Sequence, residues 1–456
     1  MANLSVNFAG LQLANPLIAS AGPITANAEH IKKLEEAGIG AIVTKTGFTK
    51  KEYERWVGRS DIFPYKPAYK YMSLKDGTLL CLPTLSDVPV SETAKRIERM
   101  KRDLNIPIIA SIMGLSLAGY RESARIVEDA GADAIELDLC CPLPEFTTLY
   151  RYAGQNASLD PKVYAQIIKC AKKAVSIPVG VKSTVSLYVS PRILNGLIRS
   201  KLANRLPDFL TVVGQLDQNP GVDLETLKPL IPHIPSFGWE GELHRLTYSA
   251  LAVFSSALGT TNPALSASGG IRDYQGVVQA MALGATTVQF QTAILDKGPA
   301  VISKILKDLN SYLDARGLSR LDQIVGIGSK DCIPASVLGE FMLARDTLYG
   351  VLCAAVDAGL CTGCETCARV CTENAITVKD KKAVIEKAKC RACNLCVLKC
   401  PVKAISLDNI VELEKLMDKY KHSEKASALK GFMNKKKIGR IDALLFIRQM
   451  KKWGLV

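Results

Sequence analysis

Short apolar segments alternate with amphipathic segments through the first two thirds of the chain. Apolar runs bounded by Gly, Pro or polar residues are typical of buried parallel strands, and apolar residues at helical spacing are typical of amphipathic helices. The runs predict eight strands, near Leu17–Ala21, Ala41–Thr46, Ile108–Met113, Ala134–Leu139, Val179–Lys182, Phe209–Val213, Ala264–Ser268 and Thr287–Phe290. The amphipathic segments predict helices that include 28–37, 90–103, 118–130, 161–174 and 274–283.

This regular alternation of strand and helix predicts the α/β class. A glycine recurs shortly before a strand, at 36–39, 129–132 and 282–285, where it fits the left-handed residue that ends a helix. Eight βα units closed on themselves form a (β/α)8 TIM barrel, whose active site lies at the carboxyl ends of its strands. We therefore expect the chemistry in the loops that follow the strands.

The fourth predicted strand ends in ionisable and sulfur side chains, Asp138, Cys140 and Cys141. Pro142 cannot continue a central strand, so these side chains face a loop. A thiol, with an ordinary pKa of about 8.5, can donate a proton at neutral pH. We interpret Cys141 as the candidate proton donor and Cys140, which alternates to the other side of the strand, as a small buried residue.

The loop between the second strand and helix 90–103 is long, and its Lys and Arg residues are interleaved with aromatic residues. Loops of this length are typical of lids or binding surfaces, and these side chains favour a flat, anionic ligand. The alternative interpretation is a solvated insertion that packs its own aromatic side chains or contacts another subunit.

Eight of the 14 cysteines form two matching groups, Cys361-x2-Cys364-x2-Cys367-x3-Cys371 and Cys390-x2-Cys393-x2-Cys396-x3-Cys400-Pro401. In this spacing, three cysteines hold one iron–sulfur cluster and the fourth ligates the other cluster. The first [4Fe-4S] cluster is therefore assigned to Cys361, Cys364, Cys367 and Cys400, and the second to Cys390, Cys393, Cys396 and Cys371. Zinc also binds thiolates at this spacing, but two complete four-cysteine runs make it the weaker interpretation.

The chain of 456 residues is long enough for a barrel and one small module. We predict a barrel over 1–316, a connector over 317–358 that ends in a helical stretch to Ala358, a ferredoxin-like 2x[4Fe-4S] domain over 359–408, and a basic helical tail over 409–456. No apolar run is long enough to span a bilayer, and the first residues do not form a signal peptide. We therefore expect a cytoplasmic protein.

The formal net charge is +14, and residues 411–456 contain twelve Lys or Arg against five Asp or Glu. Such a tail is typical of a solvated surface, and contact with an acidic partner protein is the alternative. No nucleic-acid-binding motif accompanies the charge, so we expect no nucleic-acid partner. We also expect an oligomer.

Each cluster transfers one electron at a time, whereas oxidation or reduction of an organic substrate commonly needs two. A further group must therefore couple the single-electron transfers to a two-electron reaction. A flavin is the candidate. Ser268-Gly269-Gly270-Ile271 follows a strand and precedes a helix, so its amides can approach a phosphate, and Gln291-Thr292 lies beside it after the eighth strand. Lys45 and Lys182 end the second and fifth strands, where they would stabilise a reduced, anionic flavin or pair with barrel carboxylates.

Several of these segments together resemble one flavoprotein family. They are Val43-Thr44-Lys45-Thr46, Ile109-Ala110-Ser111-Ile112-Met113-Gly114, Glu136-Leu137-Asp138-Leu139-Cys140-Cys141-Pro142, Gly154-Gln155, Gly269-Gly270-Ile271 and the cysteine array. From Asn15 to about Pro401 the chain resembles the dihydroorotate dehydrogenase-like flavoproteins, most closely the dihydropyrimidine dehydrogenase branch with two ferredoxin-type clusters. The resemblance implies FMN contacts at Ser20, Lys45, Thr46, Lys182, Gly241, Gly269, Gly270 and Thr292. It also implies that Cys141 is the acid or base beside flavin N5, with Lys45 and Asp138 as further catalytic candidates.

The chain departs from this family where asparagines grip a pyrimidine ring. Asp138 stands where one of them would be, Leu143 stands where another polar residue would be, and Gly214-Gln215 stands in place of a third. The family's asparagine-containing loop before the third strand has no clear counterpart in Leu74 to Leu82. An ionised carboxylate accepts hydrogen bonds but cannot donate them as an amide does. Asp138 could pair with Lys45, bind a cationic or N–H-rich group, or become protonated beside reduced flavin. We expect a substrate other than uracil, thymine or orotate.

We predict an FMN and iron–sulfur oxidoreductase that adds or removes a hydride and a proton across a C–C bond of a small planar compound, with electrons relayed through two [4Fe-4S] clusters. Two alternatives stay open: a dihydropyrimidine or dihydroorotate dehydrogenase with an altered substrate grip, and a non-catalytic electron-relay subunit. No Gly-x-Gly-x-x-Gly follows a strand, so a partner must supply electrons. The resemblance implies an FAD subunit that uses NAD(P)H, and a ferredoxin is the alternative.

Overall fold

The computed structural model of the chain describes residues 2–57, 71–73, 79–81, 88–140, 150–184, 206–214, 216–218, 222–228, 236–238, 243–258, 263–329 and 353–408. The chain divides into two compact units, Met1–Cys332 and Ile333–Val456. The first unit contains the predicted strands and the second contains the two cysteine groups.

Eight parallel strands form a closed barrel in the first unit. They are β1 Leu17–Ala19, β2 Ala41–Val43, β3 Ile108–Ile112, β4 Ala134–Asp138, β5 Val179–Lys182, β6 Phe209–Thr211, β7 Ala264–Ser268 and β8 Ala285–Phe290. Each strand pairs with the next, and β8 pairs with β1, so that Val288 lies opposite Leu17. The predicted TIM barrel is therefore confirmed.

The barrel strands are buried on both faces, which is why their sequences read as apolar runs. All five residues of β3 and all five of β4 are buried. Gly180 in β5 leaves room for the ring of Phe209, because a β-carbon at this glycine would overlap that ring. Phe8, in the hairpin of Val6–Phe8 and Leu11–Leu13, contacts the same ring with centroids 4.8 Å apart. Because Phe209 begins β6, this hairpin covers the amino-terminal end of the barrel.

Helices connect the strands, and four of them begin at a side chain that accepts hydrogen bonds from their first amides, namely Asn27, Ser116, Asp160 and Asp273. The described helices of this unit are Ala28–Glu36, Lys50–Val57, Val90–Asp103, Leu117–Asp129, Gly154–Leu159, Pro161–Lys172, Leu243–Leu258, Tyr274–Ala282, Thr292–Lys297 and Ala300–Asp314, with 3-10 turns at Pro23–Thr25 and Leu321–Ile324. The five helices predicted from periodicity agree with these bounds to within two residues.

The long loops that follow β2 and β6 contribute strands of their own. In the first loop, Gly47–Phe48 pairs with Val88–Pro89 and extends the barrel sheet beside β3. A separate antiparallel sheet has the order Leu216–Gln218, Ser236–Gly238, Leu79–Cys81 and Tyr71–Ser73. The two loops therefore pair with each other. Residues 58–70, 74–78 and 82–87 of the first loop lie outside the described residues, so its interpretation as a lid stays a prediction.

In its described residues, 353–408, the second unit has two antiparallel strand pairs and two short helices. Cys353–Val356 pairs with Ile405–Asp408, Ile376–Lys379 pairs with Lys382–Ile385, and the helices are Thr366–Val370 and Leu395–Lys399. Each helix carries the third cysteine of one group, Cys367 or Cys396, which is buried in a small apolar core. The predicted ferredoxin-like domain is confirmed.

The prediction of a helical stretch that continues to Ala358 is wrong for Cys353–Val356, which form a strand. Alanine favours helices, but pairing with Ile405–Asp408 and the burial of Ala354 outweigh this local preference. The predicted helical tail, 409–456, lies outside the described residues. Within the described part of the chain, no helix combines the length and apolar character needed to cross a membrane.

Candidate active site

Most of the predicted FMN and catalytic residues lie at one rim of the barrel, because they end or follow its parallel strands. Ser20 follows β1, Lys45 and Thr46 follow β2, Asp138 ends β4, Lys182 ends β5, Gly269 and Gly270 follow β7, and Thr292 follows β8. Lys45 is half-buried there. Cys141 and Gly241 lie outside the described residues, so their roles stay predictions.

Ser20 and Lys182 are in direct contact although 162 positions separate them in the chain. Lys182 Nζ donates hydrogen bonds to Ser20 Oγ at 2.7 Å and to Gln289 Oε1 at 3.3 Å. The same nitrogen lies 3.8 Å from Oε1 of Glu136 inside the barrel. The sequence left two roles open for Lys182, stabilisation of a reduced flavin and pairing with a barrel carboxylate. The structure shows the pair with Glu136, and the ammonium also contacts the Ser20 hydroxyl at the rim.

Glu136 occupies the centre of a polar network inside the barrel. It is fully buried, and its Oε2 accepts hydrogen bonds from Thr211 Oγ1 and Gln289 Nε2, both at 2.7 Å. The Gln289 amide therefore turns its nitrogen toward Glu136 and its oxygen toward Lys182. Sequence reasoning passed over Glu136, Thr211 and Gln289. The available signal was the alternation along β4, which places Glu136 on the same face as Asp138.

Asp138 is held by hydrogen bonds from the segments that follow β2 and β4. Thr46 Oγ1 donates to Asp138 Oδ2 at 3.0 Å and lies 2.9 Å from Ser111 Oγ. The amide and the thiol of Cys140 donate to Oδ1 at 3.2 and 3.1 Å. The carboxylate is thus fixed in place as a hydrogen-bond acceptor.

Cys140 packs against Gly214 beyond the end of β6. The cysteine is 4% exposed, which agrees with its interpretation as a small buried residue. A β-carbon at Gly214 would lie 2.5 Å from Sγ and 2.8 Å from Cβ of Cys140. The structure therefore accommodates a side chain at one of these two positions and not at both, which explains the glycine where the family resemblance implies an asparagine.

The loop after β7 forms a cradle of backbone atoms. Gly269 and Gly270 have φ angles of +100° and +75°, which residues with a side chain rarely adopt. A β-carbon on Gly270 would overlap the backbone of His244 in the first turn of helix Leu243–Leu258. The hydroxyl of Thr247, in the same helix, lies 2.8 Å from each of two carbonyl oxygens at the start of this loop. The cradle therefore lies against a helix amino terminus, where free amides attract phosphate.

These features fit a flavin mononucleotide. The two glycines bring the backbone of this loop against a helix terminus, which suits the phosphate. Lys182 and Ser20 supply a cation and a hydroxyl at the same rim. Thr292 begins the next helix, Thr292–Lys297. Gln291, just before it, covers Gly22, where a β-carbon would overlap the Gln291 side chain. The loops after β1, β7 and β8 would together hold the cofactor.

The eight clustered thiols of the second unit surround two cavities, and all are free. Cys361, Cys364, Cys367 and Cys400 line one cavity. Cys371, Cys390, Cys393 and Cys396 line a second cavity. The fourth cysteine of each run thus lies with the first three of the other run, and each set surrounds a space instead of converging on a point. This geometry fits a cluster in each cavity.

Backbone amides point at sulfur atoms of both cavities. Cys361, Cys400, Cys390 and Cys371 accept hydrogen bonds from the amides of Ala383, Ala404, Ala354 and Ala375, at 3.4, 3.2, 3.4 and 3.3 Å. The amide of Ala383 lowers the pKa of Cys361, whereas burial raises the pKa of Cys396 to about 11. Amide donors at sulfur are one of the means by which proteins set cluster potentials.

Two protein-family models match the chain. The family model for dihydroorotate dehydrogenase matches residues 3–313, and the model for a 4Fe-4S dicluster domain matches residues 360–404. The first match spans more than half of the chain, so the protein belongs to the dihydroorotate dehydrogenase family. The resemblance is confirmed, and with it the enzyme class: an FMN-dependent oxidoreductase that acts on CH–CH bonds and carries a 4Fe-4S domain.

Individual relatives cover most of the chain. It is 27% identical over 326 residues to the catalytic subunit of dihydroorotate dehydrogenase B (NAD(+)) from Methanothermobacter thermautotrophicus, a match that covers 71% of this chain and 98% of the relative. It is 24% identical over 427 residues to the NAD-dependent dihydropyrimidine dehydrogenase subunit PreA of Escherichia coli, covering 90% and 96%. A crystal structure of Eimeria tenella DHODH in complex with ferulenol has a TM-score of 0.58 at 19% identity, covering 71% and 88%, and supports the fold.

Gly270→Ala is expected to lower the flavin content of the purified protein about tenfold or more, because the new β-carbon displaces the loop from the helix terminus that favours phosphate. Flavin absorbance per chain after incubation with FMN measures this. Gly10→Ala is the matched control, since Gly10 has a φ of +95° but no atom within 4 Å of its β-carbon position. Normal flavin content in the Gly270 variant would contradict the cradle.

Cys400→Ser and Cys371→Ser are each expected to damage a different cluster and to lower the iron content by up to about half, because each removes one thiolate ligand. Electron paramagnetic resonance of the reduced protein should show that Cys400→Ser alters the same signal as Cys361→Ser. Cys371→Ser should alter the same signal as Cys390→Ser. The control is Cys353→Ser, a buried thiol of the same unit outside both sets. Zinc in the native protein, or the opposite pairing of signals, would overturn the assignment.

Proposed function

We propose that this protein is an FMN and iron–sulfur oxidoreductase that adds or removes a hydride and a proton across a C–C bond of a small planar compound other than uracil, thymine or orotate. One observation carries the proposal. A rim that fits FMN, with Lys182 against Ser20 and the Gly269–Gly270 cradle at the same end of the barrel, occurs in a chain that also has two cavities of four thiols each.

The chemistry divides between cofactors and side chains. When bound, FMN would exchange a hydride with one carbon, and two [4Fe-4S] clusters would carry single electrons. We assign the proton at the neighbouring carbon to Cys141, whose thiol is mostly protonated at neutral pH. In the opposite direction Cys141 acts as a thiolate, which the cation of Lys45 favours. Asp138 is fixed by hydrogen bonds from Thr46 and Cys140. We assign it the role of a hydrogen-bond acceptor at the end of β4.

The residues at the ends of β4 and β6 support the proposal that the substrate is not a pyrimidine. The amide edges of a pyrimidine ring need partners that both donate and accept hydrogen bonds, as an asparagine does. Here Asp138 is an acceptor already held by protein donors, and Gly214 presents no side chain because Cys140 packs against it. These two positions favour a ligand with a different polar edge.

A second candidate function is a dihydropyrimidine or dihydroorotate dehydrogenase with an altered substrate grip. The names and coverage of the relatives favour it, since the matches span 96% and 98% of two such proteins. The Escherichia coli relative is named as a subunit. This supports the proposal that a partner, either an FAD subunit that uses NAD(P)H or a ferredoxin, exchanges electrons with the clusters.

Uracil, thymine, orotate and dihydroorotate are expected to leave the flavin spectrum unchanged at micromolar concentration, because the strand ends lack the amide partners that a pyrimidine edge needs. Anaerobic titration of the intact protein measures this. In parallel, unsaturated acids, amides and thioesters are added to the reduced protein, and one of these classes should reoxidise the flavin. A spectral shift with any of the four pyrimidines would favour the second candidate.

Cys141→Ser is expected to slow substrate turnover about a hundredfold or more, the range typical for loss of a general acid. Flavin reduction through the clusters should persist, because the thiol handles only the proton. Stopped-flow reoxidation of the reduced protein by the active compound measures the effect. The control is Cys170→Ser, a buried thiol that donates to the carbonyl of Leu117 on the helical layer. Full turnover in the Cys141 variant would leave the electron-relay subunit as the better account.

A further inference from the structure

Glu136 is a buried ionisable group for which the proposed chemistry gives no role. Its side chain is 0% exposed, and it lies in the middle of β4 instead of at the strand end. A carboxylate is costly to bury unless hydrogen bonds and an opposite charge compensate for lost water. The partners that the structure gives it therefore indicate what this residue does.

The two oxygen atoms of Glu136 have different surroundings. Oε2 accepts hydrogen bonds from Thr211 and Gln289, both at 2.7 Å. Oε1 is buried and has no hydrogen-bond partner among the described residues, and it lies 3.8 Å from Lys182 Nζ. Neutral donors thus hold one oxygen in place, while the other faces the ammonium.

Lys182 connects this carboxylate to the rim. Its side chain is 7% exposed, and its Nζ donates to Ser20 Oγ and to Gln289 Oε1. Gln289 binds both members of the pair, with its nitrogen on Glu136 and its oxygen on Lys182. The two charged groups are therefore linked by direct attraction and by a shared amide, and the ammonium points from the barrel interior toward the loop after β1.

We propose that Glu136 is a positioning residue that keeps Lys182 positively charged and directed at the flavin-binding rim. This inference rests on the proposed function, in that FMN occupies the rim beside Ser20. Burial favours the neutral form of a lysine, and a nearby carboxylate opposes that effect. Glu136 acts through Lys182 and does not itself touch the cofactor. Its effect is to strengthen the electrostatic stabilisation that Lys182 gives to negative charge developing on the flavin.

Sulfite affinity of the oxidised holoenzyme tests this inference. Sulfite adds its sulfur lone pair to flavin N5, and the electron pair displaced into the ring appears as negative charge that a nearby cation stabilises. Glu136→Gln is nearly isosteric and keeps an acceptor for Thr211 and Gln289. We expect it to retain flavin and to weaken sulfite binding about tenfold, the effect of losing an opposite charge at this range. Spectrophotometric titration of the flavin band gives the dissociation constant.

Three further variants separate charge from packing. Glu136→Asp keeps the carboxylate, and we expect it to restore most of the sulfite affinity. Thr211→Val removes a hydrogen bond to the same carboxylate without removing charge, and we expect little change. In a Lys182→Met background, which itself weakens sulfite binding, Glu136→Gln should have no further effect, because its influence passes through the lysine.

The outcomes distinguish failure of this inference from failure of the proposed function. Unchanged or tighter sulfite binding in Glu136→Gln, with flavin retained, would overturn the role of Glu136 and leave the proposed function intact. An equal loss in Thr211→Val, or an additive loss in the Lys182→Met background, would indicate a packing effect and would also overturn it. A native protein that binds no flavin would instead refute the proposed function and this inference together.

Discussion

Hydrogen bonding between β8 and β1 closes the barrel, and the candidate site depends on that closure. Phe290 lies opposite Ala19 at the junction, so the loop that carries Ser20 lies beside the loop that carries Thr292. Lys182 ends β5, four strands away from β1 in the closed barrel, and it contacts Ser20 across the barrel interior. An open sheet of the same strands would place these groups at separate positions and would give no common rim.

Closure also determines what the interior can contain. Side chains from five strands or strand ends meet in the barrel interior. A buried polar group there needs hydrogen-bond partners, which other strands of the barrel supply. Oε2 of Glu136, Thr211 and Gln289 form hydrogen bonds to one another from β4, β6 and β8. A buried pair of charges contributes little net stability in general, so the Glu136–Lys182 pair is better explained by the electrostatic field it creates at the rim than by the stability of the fold.

The second unit follows a different constraint, the short spacing of its cysteines. Two helices, Thr366–Val370 and Leu395–Lys399, each turn one cysteine inward, and the paired strands direct amides at the sulfur atoms around them. Thiols that surround a space suit a multi-iron cluster, and such clusters exchange single electrons. A flavin accepts or donates two, which gives a physical reason for both kinds of site to occur in one chain.

The sequence by itself determined the barrel strands, the bounds of five helices and the cysteine sets, because apolar periodicity and ligand spacing are local signals. It gave the wrong structure at Cys353–Val356, where alanines favour a helix until a distant strand pairs with them. Only the tertiary structure decided that Glu136 faces Lys182 and that Cys140 excludes a side chain at Gly214. Such contacts depend on strand register and barrel closure between residues far apart in the chain, and no local pattern of residues encodes those distances.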